Sequence, residues 1–234
     1  MKKRGAPKLP PGVKRTMEGD RPRWMKDGRH VPGVTRVLRE LGLTDDYKTM
    51  DPVTRERVLY RGQEVHQACH ALDLGQPYDL IDPEFLPYVE GYRRFLRDTG
   101  FTSIFIEYAC VDDHGRFVTV LDRAGYLGDV FVIFDIKTGK RVHPSARLQT
   151  AAQAIAFVDQ ARRDRGAEEA MHPNIRRHVL QLTPGDYKLH PPFSNGAHER
   201  AAFLGLLSAH EWRARWIDVP ALPDDIADAP IEIE

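Results

Sequence analysis

The residue types best suited to chemistry lie in two short stretches, Leu121-Asp122-Arg123 and Phe134-Asp135-Ile136-Lys137-Thr138-Gly139-Lys140. Asp122 breaks an apolar run at 117–121 and is expected to end a strand there. Residues 130–136 are almost uninterrupted in apolar side chains, as in a strand covered on both faces, with Asp135 near its end. Side chains two apart in a strand share a face, so Asp135 and Lys137 point one way and Ile136 the other. If the two strands pair as a hairpin, Asp122 and Asp135 converge. Two converging carboxylates repel unless a cation lies between them, and carboxylate oxygens with water suit Mg²⁺. Lys137 would then stand where it orients a water and offsets charge on a phosphate. The alternative is a surface hairpin with charges at its rim.

Several elements must position these groups. Thr35 to Gly42 reads as a short helix, and Asp51-Pro52 opens a longer one to about residue 74, with proline at its first position. A third helix covers 83–99. Strands follow at 104–111, 117–121 and 130–136, then a helix from Pro144-Ser145 to near Gly166. Strands at 177–182 and 187–189 and a helix at 196–217 close the order. Helices followed by β-β-β-α-β-β-α predict an α/β layer architecture with one mixed sheet. Trp212 and Trp216, four apart on the last helix, read as core or interface residues.

Composition narrows the class. The chain has 234 residues, 41% hydrophobic and 29% charged, which is ordinary for a globular protein and excludes wholesale disorder. No apolar run approaches the roughly 20 residues of a membrane span, and the basic start lacks the apolar core of a secretory leader. A cytoplasmic setting is therefore expected. The two cysteines, Cys69 and Cys110, exclude a disulfide framework and any four-cysteine zinc site or iron–sulfur cluster, and read as buried free thiols. The 34 basic and 34 acidic residues balance, but unevenly. Residues 1–31 carry ten Lys or Arg against three acids, with four prolines, and predict a flexible basic arm. Within it, Trp24 is a candidate for stacking on an unpaired base while the charges track phosphates. Residues 218–234 carry six acids and no Lys or Arg, an acidic tail.

His66 and His70 are four apart on one helix and share a face. That spacing suits zinc, but no Glu lies between them and a third ligand is needed.

Together the elements Gly62-Gln63-Glu64-Val65-His66, Asp122, Asp135-Ile136-Lys137-Thr138-Gly139 and Gln149 resemble the PD-(D/E)XK nuclease superfamily, in its RecB-like exonuclease branch. That branch includes phage and mitochondrial genome-maintenance exonucleases, whose Pro-Ser-Val-Thr opening is similar to Pro32-Gly33-Val34-Thr35. The resemblance spans about residues 31–160. Gln153 stands where the branch has tyrosine, and Val120 where a small residue is usual.

The resemblance implies a restriction-endonuclease-like core, a central mixed β-sheet flanked by helices, with N-terminal helices. It implies one nuclease domain over 32–217, with its motif core at 58–160. His66, Asp122, Asp135 and the Ile136 carbonyl would hold Mg²⁺ or Mn²⁺, the imidazole favouring Mn²⁺; no iron–sulfur cluster is expected. Asp122, Asp135, Lys137 and Gln149 would be catalytic. Apart from the resemblance, Glu107 lies mid-strand among apolar residues and faces either the site, as a second-shell or bridging acid, or solvent. By residue type rather than by the resemblance, Lys140, Arg141 and Arg147, with Trp24, are candidates for DNA contact and Arg93 and Arg94 for phosphate, the alternative for each cation being a solvated side chain. The implied activity is a metal-dependent DNA exonuclease acting on single-stranded or free ends in replication, recombination or repair. The alternatives are a structure-selective endonuclease and a non-cleaving DNA-binding recombination protein. The implied partners are DNA, a second copy of the chain, and a recombination or replication protein, with no membrane.

Overall fold

The computed structural model describes residues 9–18, 21–44, 50–78, 82–165, 175–193 and 196–217. The acidic tail at 218–234 and the first eight residues of the basic arm lie outside them.

The centre is a five-stranded mixed sheet in the order β4-β5-β6-β7-β8, formed by β4 (Thr102–Val111), β5 (Val118–Leu127), β6 (Val130–Lys137), β7 (Arg176–Thr183) and β8 (Asp186–Leu189). All neighbours are antiparallel except β6 and β7. Those two are joined across one face by α4 (Ala146–Arg165), as a parallel pair requires. Alternation along β6 divides the core. Val132, Phe134 and Ile136 pack under α2 (Pro52–Leu74) and α3 (Leu86–Thr99) with Val65, Cys69, Tyr92 and Phe95. Phe131 and Ile133 pack with Ala152, Ile155 and Phe157 of α4, Val37 of α1 (Val34–Glu40) and Phe203 of α5 (Ala197–Trp216). The result is the expected α/β architecture, a mixed sheet flanked by helices, consistent with a restriction-endonuclease-like core.

Local chemistry places α2 firmly. Asp51 accepts from the Thr54 N–H at 2.8 Å and Pro52 takes the first turn, while Gly75, at φ 68°, ends the helix in the left-handed region. Both cysteines are buried and free, as expected. Among the described residues, no helix is long and apolar enough to cross a membrane.

Three expectations need correction. The strand carrying Asp122 does not stop there: the hairpin turn forms at Gly128, φ 60°, so Arg123 to Leu127 extend β5 and pair with β6. The basic arm is not an irregular leader in its described part. It forms a three-stranded antiparallel sheet, β1 (Val13–Glu18), β2 (Arg21–Lys26) and β3 (Arg29–Val31). Three alternating apolar side chains, Val13, Trp24 and Val31, pack on Ala109, Val111 and Val118, and the Val118 N–H donates to the Pro32 carbonyl at 3.0 Å. Charge and proline dominate the composition of this segment, but three inward residues suffice to dock it. Trp212 and Trp216 are exposed on α5, which removes the core half of their reading and leaves the interface half untouched.

Candidate functional site

Two clusters of side chains meet at Ile136. The first is local. Asp135 and Lys137 share the α4 face of β6, as their spacing requires, and Lys137 Nζ lies 2.8 Å from Asp135 Oδ2. Gln149, in the first turn of α4, bridges them: its Nε2 donates to Asp135 Oδ1 at 2.7 Å and its Oε1 accepts from Lys137 Nζ at 3.3 Å. Asp135 is 1% exposed. Beyond Lys137 the chain is fixed by Gln181 of β7, whose side-chain amide donates to the Gly139 carbonyl at 2.7 Å.

The second cluster is assembled from distant elements on the α2 face. His66 Nδ1 lies 3.7 Å from Glu107 Oε1 of β4 and 3.8 Å from Asp122 Oδ1 of β5. One donor atom from each of these three residues lies within 4.8 Å of the others. Asp122 sits where β5 and β6 part, one residue beyond their last pair, Arg123 with Phe134. There its Oδ2 accepts from the Ile136 N–H at 2.7 Å, while the Ile136 carbonyl faces His66 Nε2 at 3.2 Å. Ile136 therefore joins both clusters through its backbone and packs its side chain into the core.

The electrostatics favour a cation at this cluster. Four carboxylates, those of Asp73, Glu107, Asp122 and Asp135, share this region with two permanent cations, Arg123 and Lys137. Burial, with the like charges of Asp135 and Glu107, pushes the Asp122 carboxyl up to about 6, against the pull of His66 and Lys137. Burial alone would lower the His66 imidazole, but the Asp122 and Glu107 carboxylates outweigh it and hold its pKa above the ordinary value. Burial would raise Glu107; its contacts with His66 and Arg123 win and keep it low. A dication among these crowded carboxylates would relieve their mutual repulsion. One imidazole and several carboxylate and carbonyl oxygens fit Mg²⁺ or Mn²⁺. Zinc through the His66–His70 pair is not supported, since the donors grouped with His66 are Glu107 and Asp122.

The residues singled out from sequence divide as follows. His66, Asp122 and Ile136 come together; Asp135, Lys137 and Gln149 form the adjoining cluster. Glu107, expected beside the site, stands within the donor group. Lys140 and Arg141 are exposed and line a cleft of about 1980 Å³ onto which His66, Asp122, Lys137 and Gln149 open. Arg147 does not line it: its guanidinium binds Glu199 of α5 at 2.6 and 3.0 Å. Trp24 borders the cleft but is only 6% exposed, because its ring fills the core beneath the N-terminal sheet; it offers no free face for a base. Arg93 and Arg94 are engaged elsewhere on α3, with Tyr78 and with Asp98 and Asp186. Gln153 is buried and donates to the Val120 carbonyl at 3.2 Å, tying α4 to β5.

Sequence reasoning passed over further cations of the cleft. Arg57 stacks on the Phe85 ring at 4.5 Å but is paired with the Asp82 and Glu84 carboxylates; Arg61 stacks on Tyr88 at 5.1 Å, and Arg15, from β1, on Trp24 at 5.5 Å. The signal for the first two was arginine at i and i+4 on the helix that carries His66. The buried pair Asp73 and Arg123 was also missed; its signal was charge inside otherwise apolar runs.

No protein-family model matches this chain, and neither does any curated protein. Among solved structures it is similar to an alkaline exonuclease, LHK-Exo, from Laribacter hongkongensis, at 17% identity and a TM-score of 0.30, covering 79% of this chain and 92% of that one. It is similar, at 16% identity and the same TM-score and coverage, to LHK-Exo in complex with dAMP.

Proposed function

We propose that this chain is a metal-dependent deoxyribonuclease that hydrolyses phosphodiester bonds as an exonuclease, at single-stranded or free DNA ends. The observation that carries the reading is the junction at Ile136. A carboxylate–lysine–amide cluster and a histidine–carboxylate group share one peptide and open on one basic cleft.

In this reading His66, Glu107 and Asp122, with the Ile136 carbonyl and Asp135 adjoining, would hold Mg²⁺ or Mn²⁺. Such a cation polarises the phosphate and lowers the pKa of water at the site. The chain's own groups do the rest. Arg61, Lys140 and Arg141 receive the phosphate backbone, positioning it without reading bases. Asp135 and Gln149 hold Lys137 at the mouth of the cleft, where its Nζ orients the attacking water and offsets charge building on the phosphate oxygens. The water oxygen bonds to phosphorus and gives up a proton to solvent, the bond to the leaving oxygen breaks, and that oxygen takes up a proton from solvent, so the protons balance.

Linear end-labelled DNA, single- and double-stranded, and a closed circular control, each with Mn²⁺, Mg²⁺ or chelator, form the test. The expected result is metal-dependent release of nucleotides from linear DNA with the circle left intact. Cutting of the circle would support an endonuclease instead, and binding without cleavage a DNA-binding role.

A further inference from the structure

Arg123 immediately follows Asp122 and has no exposed surface. Its Nε pairs with Asp73 Oδ2, on α2. Its Nη1 donates to Glu107 Oε1 at 3.0 Å, on β4, and to the backbone carbonyl of Asp122 at 2.5 Å, on β5. One guanidinium therefore touches the three elements that carry His66, Glu107 and Asp122. Asp73 lies seven residues, about two turns, beyond His66 on the same helix, so it shares that helix's inner face.

Two details say that this contact sets geometry as well as balancing charge. Asp73 is already satisfied apart from Arg123: the Tyr92 hydroxyl donates to both its oxygens, at 2.9 and 3.1 Å, and the Ser103 hydroxyl donates at 2.9 Å. Glu107, on the other side, has a left-handed backbone at φ 46°, in the middle of a strand. A residue with a Cβ holds that conformation only where its surroundings impose it, and such strain gathers at functional sites. The strained residue is the one whose carboxylate Arg123 grips and turns toward His66 and Asp122.

We propose that Arg123 is the positioning residue of the donor group: it locks α2, β4 and β5 together so that His66, Glu107 and Asp122 converge. The inference rests on the metal reading of that group. Lysine would keep the charge but lose the planar fork that reaches three partners at once.

The test titrates Mn²⁺ calorimetrically into the full-length parent, Arg123→Lys, Asp73→Asn, Glu107→Gln and the Arg123→Lys/Glu107→Gln double variant. Near-UV circular dichroism establishes that each is folded. Arg123→Lys should weaken Mn²⁺ binding by about tenfold or more, as loss of an outer partner of a metal site does. Asp73→Asn should shift it the same way, though it touches none of the donors. The double variant should bind no worse than Glu107→Gln alone, because Arg123 acts through Glu107. A purely structural arginine would lower melting temperature and leave Mn²⁺ affinity unchanged, and one acting independently of Glu107 would add its loss to that of Glu107→Gln; either result overturns the proposal. If Arg123→Lys does not fold, the cycle of Asp73→Asn with Glu107→Gln decides the matter in its place, additivity again counting against the positioning role. A parent that binds no Mn²⁺ overturns the metal reading itself, and the positioning role with it.

Discussion

The two halves of the candidate site are built in opposite ways. The half on the α4 face draws Asp135, Lys137 and Gln149 from a stretch of 15 residues running from the end of β6 into the first turn of α4. Strand alternation and one parallel crossover are enough to bring those groups together. The half on the α2 face draws His66, Glu107 and Asp122 from three elements spread over 57 residues, and needs a buried Arg123–Asp73 pair to hold them. A local cluster inherits its geometry from secondary structure. A distributed one must be held by tertiary contacts, so its geometry is exposed to distant substitutions.

The largest expected effect falls on the local half. Lys137→Ala and Asp135→Asn should each lower the rate of cleavage roughly 100- to 1000-fold, the usual cost of removing one preorganised electrostatic group. Lys137→Ala should leave Mn²⁺ affinity in place, measured by calorimetry. Cleavage within about tenfold of the parent, roughly 1.4 kcal/mol of barrier, would remove these residues from the chemistry.

The distributed half is tested by metal affinity. His66→Ala should weaken Mn²⁺ at least as much as the roughly 10–100-fold typical of an outer-shell loss. His70→Ala, one turn on and outside the donor group, should leave it unchanged. Equal Mn²⁺ affinities in His66→Ala and the parent would break the assignment of this half to metal.

How much of this was legible in the sequence follows the same division. The order of core elements could be read because β6 is nearly all apolar and α2 is bracketed by Asp51-Pro52 and Gly75. The pairing of Asp135 with Lys137 followed from period two, while Gln149 was singled out by the resemblance. Glu107 was half-legible: alternation in β4 left its face open, because its left-handed backbone breaks that alternation at the residue in question. Arg123 drew no reading of its own, since nothing local announces that α2 will supply Asp73 fifty residues away. The N-terminal sheet was hidden for another reason. Its docking depends on Val13, Trp24 and Val31 meeting β4 and β5, and a short polar meander has no core of its own to advertise.

A smaller effect sharpens the boundary between the halves. Gln149 touches both Asp135 and Lys137, so Gln149→Ala should loosen Lys137 rather than remove it. About a tenfold loss of rate is expected, with substrate binding retained. Combined with Lys137→Ala it should add little further loss, because both act through one group. Full additivity in single-turnover rates would give Gln149 a separate role.

The smallest effect concerns the turn that follows the local half. Lys140 and Arg141 are exposed on the cleft and lie beyond the fixed Gly139 carbonyl. Arg147, only six residues after Arg141, is turned away and bound to Glu199. If the cleft receives a phosphate backbone, each cleft cation should neutralise about one phosphate and release about one counterion. Lys140→Ala and Arg141→Ala should each weaken DNA binding a few-fold and flatten the slope of log K against log salt by about one unit, uniformly across sequences. Mn²⁺ affinity should not move, since neither residue touches His66, Glu107 or Asp122. Arg147→Ala supplies the control. Its loss leaves Glu199 with Arg177 as its remaining partner and lowers stability slightly, as for a surface ion pair, typically by about 0.2–1 kcal/mol, without touching the salt slope. A slope that flattens equally in Arg147→Ala would mean that DNA runs over the α4–α5 face instead of through the cleft, and would detach the basic turn from the chemistry of Lys137.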